Sequence, residues 1–131
     1  MVCGPRADVG DVLDLDTYCR LPHALVSLFG DGPSFIDGVL AGLGRERFVA
    51  ARTAYLLTLP PMLAQTDLVA TIPSAASSLF TDLGLRCHPP PPELGLPDTS
   101  LMLLIWHARY TASPAHAWFR SLISEAMGEP A

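Results

Sequence analysis

Four histidines (His23, His88, His107, His116), three cysteines (Cys3, Cys19, Cys87) and the Ser77-Ser78 pair are the side chains of this sequence suited to metal or nucleophile chemistry. Their spacing assembles neither. A metal centre needs a convergent set of histidines with carboxylate or thiolate help, and no two of these histidines share ligand spacing on one helix or hairpin. The cysteine count is odd, and the intervals match no zinc or redox motif. Ser77-Ser78 falls inside a helical pattern, and no Gly-x-Ser-x-Gly elbow is present. A Ser-His-Asp set built from dispersed residues has no local support. The expectation is a protein with no catalytic residue, no metal and no cofactor, its thiols reduced in the cytoplasm.

Binding asks for less. Arg52 to Pro73 reads as the end of a strand, a turn, a short helix and a second strand, the repeating unit of an α/β domain. Ligands of open sheets sit beyond the carboxyl ends of the strands, near helix N-termini. That rule picks out Thr53 and Tyr55 after one strand, and Ile72 and Pro73 after the next. Ser27, Phe29 and Gly30 hold the equivalent place after the strand before them. Of the two helices that follow these strands, the one opening at Ser34 keeps its first amides. The one near Thr58 loses two to Pro60-Pro61, so the Ser34 helix is the better anion site.

The chain has 131 residues, half of them apolar and 16% charged, enough for a packed core and unlike a disordered chain. No apolar run approaches the roughly 18 residues of a membrane span, and no signal peptide is visible. With a formal charge of −5 and 8 scattered basic residues, the sequence offers no basic patch for nucleic acid.

These residues must be positioned by elements that recur in order. Met1 to Gly4 reads as the end of a strand, and Pro5 to Gly10 as a loop. Asp14 to Arg20 reads as a helical turn with Asp16 at its head. His23 to Ser27 reads as a short buried strand, Phe48 to Thr53 as the next strand, and Leu68 to Ile72 as a central parallel strand. Leu85 to His88 reads as a short fourth. Ser34-Phe35-Ile36-Asp37 has the form of a capping box, with Gly44 as the helix stop. Proline is tolerated in a first helical turn, so the Pro60-Pro61 helix should start near Thr58 or Leu59, with Thr58 as cap. Ser74 should cap the next helix, which Gly84 ends. Pro89 to Pro92 reads as a stiff connector. Leu101 to His107 reads as the longest strand, and Ser113-Pro114 opens a helix with Trp118, Phe119, Leu122 and Ile123 on one stripe.

Four strings carry a resemblance: Leu-Pro-His-Ala-Leu-Val-Ser (21–27), Thr-Asp-Leu-Val-Ala-Thr-Ile-Pro (66–73), Leu-Gly-Leu-Arg-Cys-His-Pro-Pro-Pro (83–91) and Leu-Leu-Ile-Trp-His-Ala-Arg-Tyr-Thr-Ala-Ser-Pro-Ala-His-Ala-Trp-Phe-Arg (103–120). Over about Leu13 to Met127 the chain resembles the C-terminal part of the effector-binding domain of LysR-type transcriptional regulators. The resemblance implies an α/β, partial type 2 periplasmic-binding-protein-like fold, mainly the second regulatory lobe plus the return strand and C-terminal helix. Residues 1–4 would end a crossing strand, 5–97 would form the second lobe, and 98–131 would give the return strand and final helix of the first. The DNA-binding helix–turn–helix would lie upstream of Met1. The family's usual His-Pro-Leu string after the crossing strand is replaced here by Gly4-Pro5-Arg6-Ala7-Asp8.

The implied function is binding a small-molecule effector between two lobes, with DNA contacted only through a domain outside this chain and no contact with membrane. The stripe of Trp118, Phe119, Leu122 and Ile123 should seek a partner, so a homo-oligomer is expected. A solute-binding half-domain unconnected with transcription and a small enzyme of unknown chemistry are the other two classes.

Overall fold

A computed structural model describes residues 2–5, 13–27, 30, 32–97 and 103–128. The chain divides into two compact units, Met1–Ser100 and Leu101–Ala131.

Among the described residues, the first unit holds five strands: β1 (Val2–Cys3), β2 (Pro22–Val26), β3 (Phe48–Thr53), β4 (Val69–Ala70) and β5 (Arg86–Cys87). They form one sheet in the order β3-β2-β4-β1-β5. β2 runs parallel to both β3 and β4, and β1 lies antiparallel between β4 and β5. Four helices connect them: α1 (Leu15–Arg20), α2 (Phe35–Gly42), α3 (Leu59–Ala64) and α4 (Ser77–Thr81). Successive residues of a strand face opposite sides of a sheet. Val69 of β4 accordingly packs with Tyr18 and Leu40 of α1 and α2, whereas Ala70 packs with Leu59, Leu63 and Phe80 of α3 and α4. The result is a helix–sheet–helix sandwich with one core on each face. Crossovers between parallel strands are right-handed. The connection from β2 to β3 runs one way along the sheet, and those from β3 to β4 and from β4 to β5 run the other, so α2 lies on one face and α3 and α4 on the other.

Helix ends follow the sequence at several points. Ser34 and Asp37 form the reciprocal capping box of α2. Gly44 and Gly84 take left-handed backbone, φ 66° and 78°, at the ends of α2 and α4. β3 has the bounds its apolar pattern suggests. Four expectations are corrected. The head of α1 is Asp14, whose carboxylate accepts from the Thr17 amide at 2.7 Å, while Asp16 pairs with Arg45. Thr58 makes no capping bond. The N2 and N3 amides that it would accept from belong to Pro60 and Pro61, which have no hydrogen to give. The backbone coils one turn earlier instead, in a 3-10 turn over Leu56–Thr58. Ser74 likewise caps nothing, because it lies inside a 3-10 turn, Ser74–Ala76, that leads into α4.

The fourth correction concerns the second unit. Residues 103–107, expected as part of a strand over 101–107, have no ladder partner among the described residues. Leu103 and Ile105 are exposed by 72% and 84%, so no face is buried that would hold a strand. The unit's regular element is α5 (Pro114–Ala126), with Ser113 as cap and Pro114 at its first position. Arg120 ties the preceding segment to this helix. Its guanidinium donates to the carbonyls of Tyr110 (3.4 Å) and Thr111 (3.2 Å) and lies 4.5 Å over the Trp106 ring.

Candidate functional site

A mostly apolar cavity of about 530 Å³ in the first unit opens at the carboxyl ends of β2 and β4. Leu25 contributes from β2. Thr71, Ile72, Pro73 and Ser74 contribute from the segment that leaves β4. Ser34, Phe35 and Ile36 bring in the head of α2, and Pro90, Leu96 and Pro97 close the side. Strand order explains the location. From β2 the chain turns toward β3, and from β4 it turns toward β5, so their carboxyl ends flank the switch point where open α/β sheets form a crevice. The wall is mostly aliphatic and proline, with hydroxyls from Ser34, Thr71 and Ser74 as its polar side chains. The proline run does more than connect, since Pro90 lines the cavity and Pro91 is buried.

Behind the cavity lies a buried polar cluster built around Arg47, which the backbone delivers just before β3. Its side chain is 2% exposed. Nε donates to the Asp37 carboxylate at 2.7 Å, and one Nη donates to Ser34 Oγ at 3.0 Å. The other Nη donates to the Tyr18 hydroxyl at 2.8 Å and, more weakly, to His23 Nδ1 at 3.4 Å. Three elements are thus gathered on one guanidinium: α1 through Tyr18, β2 through His23, and α2 through its cap Ser34 and first-turn Asp37. Tyr18 also bonds Thr71 Oγ1 at 2.9 Å, which extends the cluster to the cavity wall.

The protonation states follow from these contacts. Burial would raise the Asp37 carboxyl, but the hydrogen bonds from Arg47 and Ser34 hold it below the usual carboxylate value. His23 is fully buried, and burial pushes its imidazole down to about 4. It is therefore neutral near pH 7. Its Nε2–H donates to the Tyr18 carbonyl at 2.8 Å, which leaves Nδ1 as an acceptor facing Arg47.

The sequence candidates divide into two groups. Ile72 and Pro73 line the cavity. Ser27, Gly30, Thr53 and Tyr55 do not; they meet one another at the ends of β2 and β3. The Ser27 amide donates to the Thr53 carbonyl at 2.9 Å, and its hydroxyl to the Gly30 carbonyl at 3.0 Å. Thr53 Oγ1 accepts from the Tyr55 amide at 3.2 Å and pairs with Thr58 Oγ1 at 2.7 Å, so its polar atoms are engaged locally. Phe29 lies outside the described residues. Arg47, Tyr18 and Thr71 escaped the sequence reading. The one available signal was an arginine ten positions after the acid of a capping box, in a chain with few cations. Among the described residues, no three of His, Cys, Asp and Glu converge to hold a metal.

Comparison with known proteins gives this arrangement a context. The chain is 31% identical over 118 residues to the HTH-type transcriptional activator NagR of Ralstonia sp, covering 89% of this chain and 38% of that protein. It is 29% identical over 126 residues to the HTH-type transcriptional activator NahR of Pseudomonas putida, covering 93% of this chain and 41% of that one. Among solved structures, the regulatory domain of MexT, a transcriptional activator in Pseudomonas aeruginosa, superposes with a TM-score of 0.65 at 37% identity, over 86% of this chain and 56% of that domain. The chain is homologous to the C-terminal part of the effector-binding domain of LysR-type transcriptional regulators. A Vibrio parahaemolyticus protein, at 22% identity and a TM-score of 0.66, shares the fold. No family model matches. The chain spans about two fifths of the length of its two LysR-type relatives, and these are regulators rather than enzymes. Among the described residues, no helix is long and apolar enough to cross a membrane.

Proposed function

We propose that this chain is the effector-sensing part of a LysR-type transcriptional regulator. A small molecule enters the cavity at the ends of β2 and β4, with the head of α2 as one wall. Binding changes how this lobe closes on another and biases the arrangement of subunits that hold DNA. No bond is made or broken. DNA is contacted through a domain outside this chain, which fits the net charge of −5 and the scattered basic residues. The single observation that carries the reading is the cavity at the sheet's switch point, in a lobe whose relatives are transcriptional activators.

The test is thermal denaturation of the chain with a panel of small organic acids, amides and neutral aromatics. At least one class should raise the midpoint, as mass action requires. The rise should vanish in Ser74→Trp, which fills the cavity from an exposed position. A rise that survives Ser74→Trp would place binding elsewhere and sink the reading. A helix–turn–helix encoded in frame upstream of Met1 supports the regulatory role, whereas a secretion signal there would overturn it in favour of solute binding.

A further inference from the structure

We infer that Tyr18 is a positioning residue that ties two walls of the cavity together, so that a molecule moving one wall moves the other. The functional meaning rests on the reading of this cavity as the effector site; the coupling itself is a property of the fold.

Thr71, on the segment after β4, and Ser34, at the head of α2, both line the cavity. Among the described residues no hydrogen bond joins these two hydroxyls directly. They are joined from behind, by two side chains that do not line it. Thr71 Oγ1 pairs with the Tyr18 hydroxyl at 2.9 Å. That hydroxyl accepts from one Nη of Arg47 at 2.8 Å, and the other Nη donates to Ser34 Oγ at 3.0 Å. The route is buried: Tyr18 is fully covered and the Arg47 side chain is 2% exposed. Thr71 lies two residues after Val69, and alternation along an extended chain puts both on the face where Tyr18 packs. Arg47 is anchored at 2.7 Å on Asp37, the partner of Ser34 in the capping box. A guanidinium holds its donors in one rigid fork, so a displaced Tyr18 hydroxyl that turns the fork is felt at Ser34. Buried polar groups are costly to leave unpaired, so each link follows its neighbour. Arg47 also reaches His23 Nδ1 at 3.4 Å, so removing the phenol oxygen cuts the link and leaves the guanidinium held. Contact with Thr71 thus reaches the cap of α2, and α1 through Tyr18 itself.

Amide resonances of the isotope-labelled chain read this coupling without a ligand. Thr71→Val should displace the resonances of Ser34, Phe35 and Ile36 on the opposite wall. Thr71→Ser, which keeps the hydroxyl, should leave them in place. In a Tyr18→Phe background, Thr71→Val should displace them by less than about a third as much. Linkage is reciprocal, so Ser34→Ala should displace the Thr71 and Ile72 resonances only where Tyr18 keeps its hydroxyl. In urea denaturation, Ser34→Ala and Thr71→Val together should depart from the product of their separate effects on the folding constant by about threefold, and by less than half of that beside Tyr18→Phe. Equal displacement of residues 34–36 by Thr71→Val with and without Tyr18→Phe would overturn the inference, since the signal would then pass through the packing of β2. So would equal displacement by Thr71→Val and Thr71→Ser, a comparison that holds even where Tyr18→Phe fails to fold. Either failure leaves the cavity reading to its own thermal test. If the thermal panel fails while the coupling is present, the effector reading falls and the coupling stands.

Discussion

Arg47 and Arg120 each gather one unit of this protein around a guanidinium, and they do so in different media. Arg47 is buried, its donors taken by a carboxylate, two hydroxyls and an imidazole, on the face of the sheet where the Tyr18–Leu40 core packs. Arg120 is half-buried and reaches main-chain carbonyls, His116 Nδ1 at 3.0 Å and the face of Trp106. Among the described residues its unit buries no large side chain: Trp118 and Phe119 remain 65% and 54% exposed. An arginine inside a packed sheet is costly to disturb, since every group left behind is cut off from water. One on a surface helix is replaceable, because water takes its place. The comparison also separates the units by role. The first carries a core on each face of its sheet and a cavity, and the second carries a helix whose Trp118 and Phe119 are exposed.

The largest effect should come from breaking the buried centre. Arg47→Met leaves the Asp37 carboxylate and the Tyr18–His23 pair without their cation, and chemical denaturation should show a loss of about 3–5 kcal/mol. Arg47→Lys should recover little of it, since a point charge cannot serve four acceptors in a fork. A loss below 1 kcal/mol would erase the contrast between the two arginines.

Next in size is pH. His23 ordinarily titrates near 6.5 and is held at about 4 in the fold, so between these values the unfolded chain binds the proton that the folded chain refuses. Stability is therefore complete above pH 6.5 and falls as pH drops toward 4, by roughly 3 kcal/mol. His23→Gln should flatten that slope in urea titrations across this window; a slope unchanged in the variant would show that other groups carry it. The carboxylates Asp14 and Asp37, held below their ordinary value, lose their contribution at lower pH still.

Smaller again is the exposed stripe. Sedimentation should show self-association of the chain at high concentration, and Trp118→Glu should weaken it about thirtyfold, or ~2 kcal/mol. A monodisperse monomer at every concentration would contradict this. Last, Arg120→Ala should cost no more than about 1 kcal/mol, with melting of the first unit unchanged.

How much of this could be read from residues alone depends on how local the cause is. The Ser34-Asp37 box, the glycine stops at Gly44 and Gly84, and the Ser113-Pro114 start are settled within four residues, and the structure has each of them. β3 is a short apolar run between breakers and was equally visible. Strand order is not local. The rule that ligands gather beyond strand ends pointed at Thr53 and at Ile72 alike, and only the order β3-β2-β4 sets them apart: β3 is an edge, and the switch point lies between β2 and β4. Residues 103–107 are apolar enough for a strand, but a strand exists through its neighbour's backbone, which composition cannot supply. Arg47 was illegible for a related reason. Its partners come from residues 18, 23, 34 and 37, and no spacing in the sequence announces their convergence.

β1 precedes the other strands of its sheet in sequence and is interior in it. Val2 pairs with Ala70 on one side and Cys87 on the other. At roughly 5–20 residues per second, its partners leave the ribosome seconds after it does. During that interval β2, α2, β3 and α3 can assemble from neighbouring sequence, while the earliest strand stays unpaired. The first-made strand of this sheet is thus the last to be locked, and the sheet is complete only when that strand is drawn in between two strands made long after it.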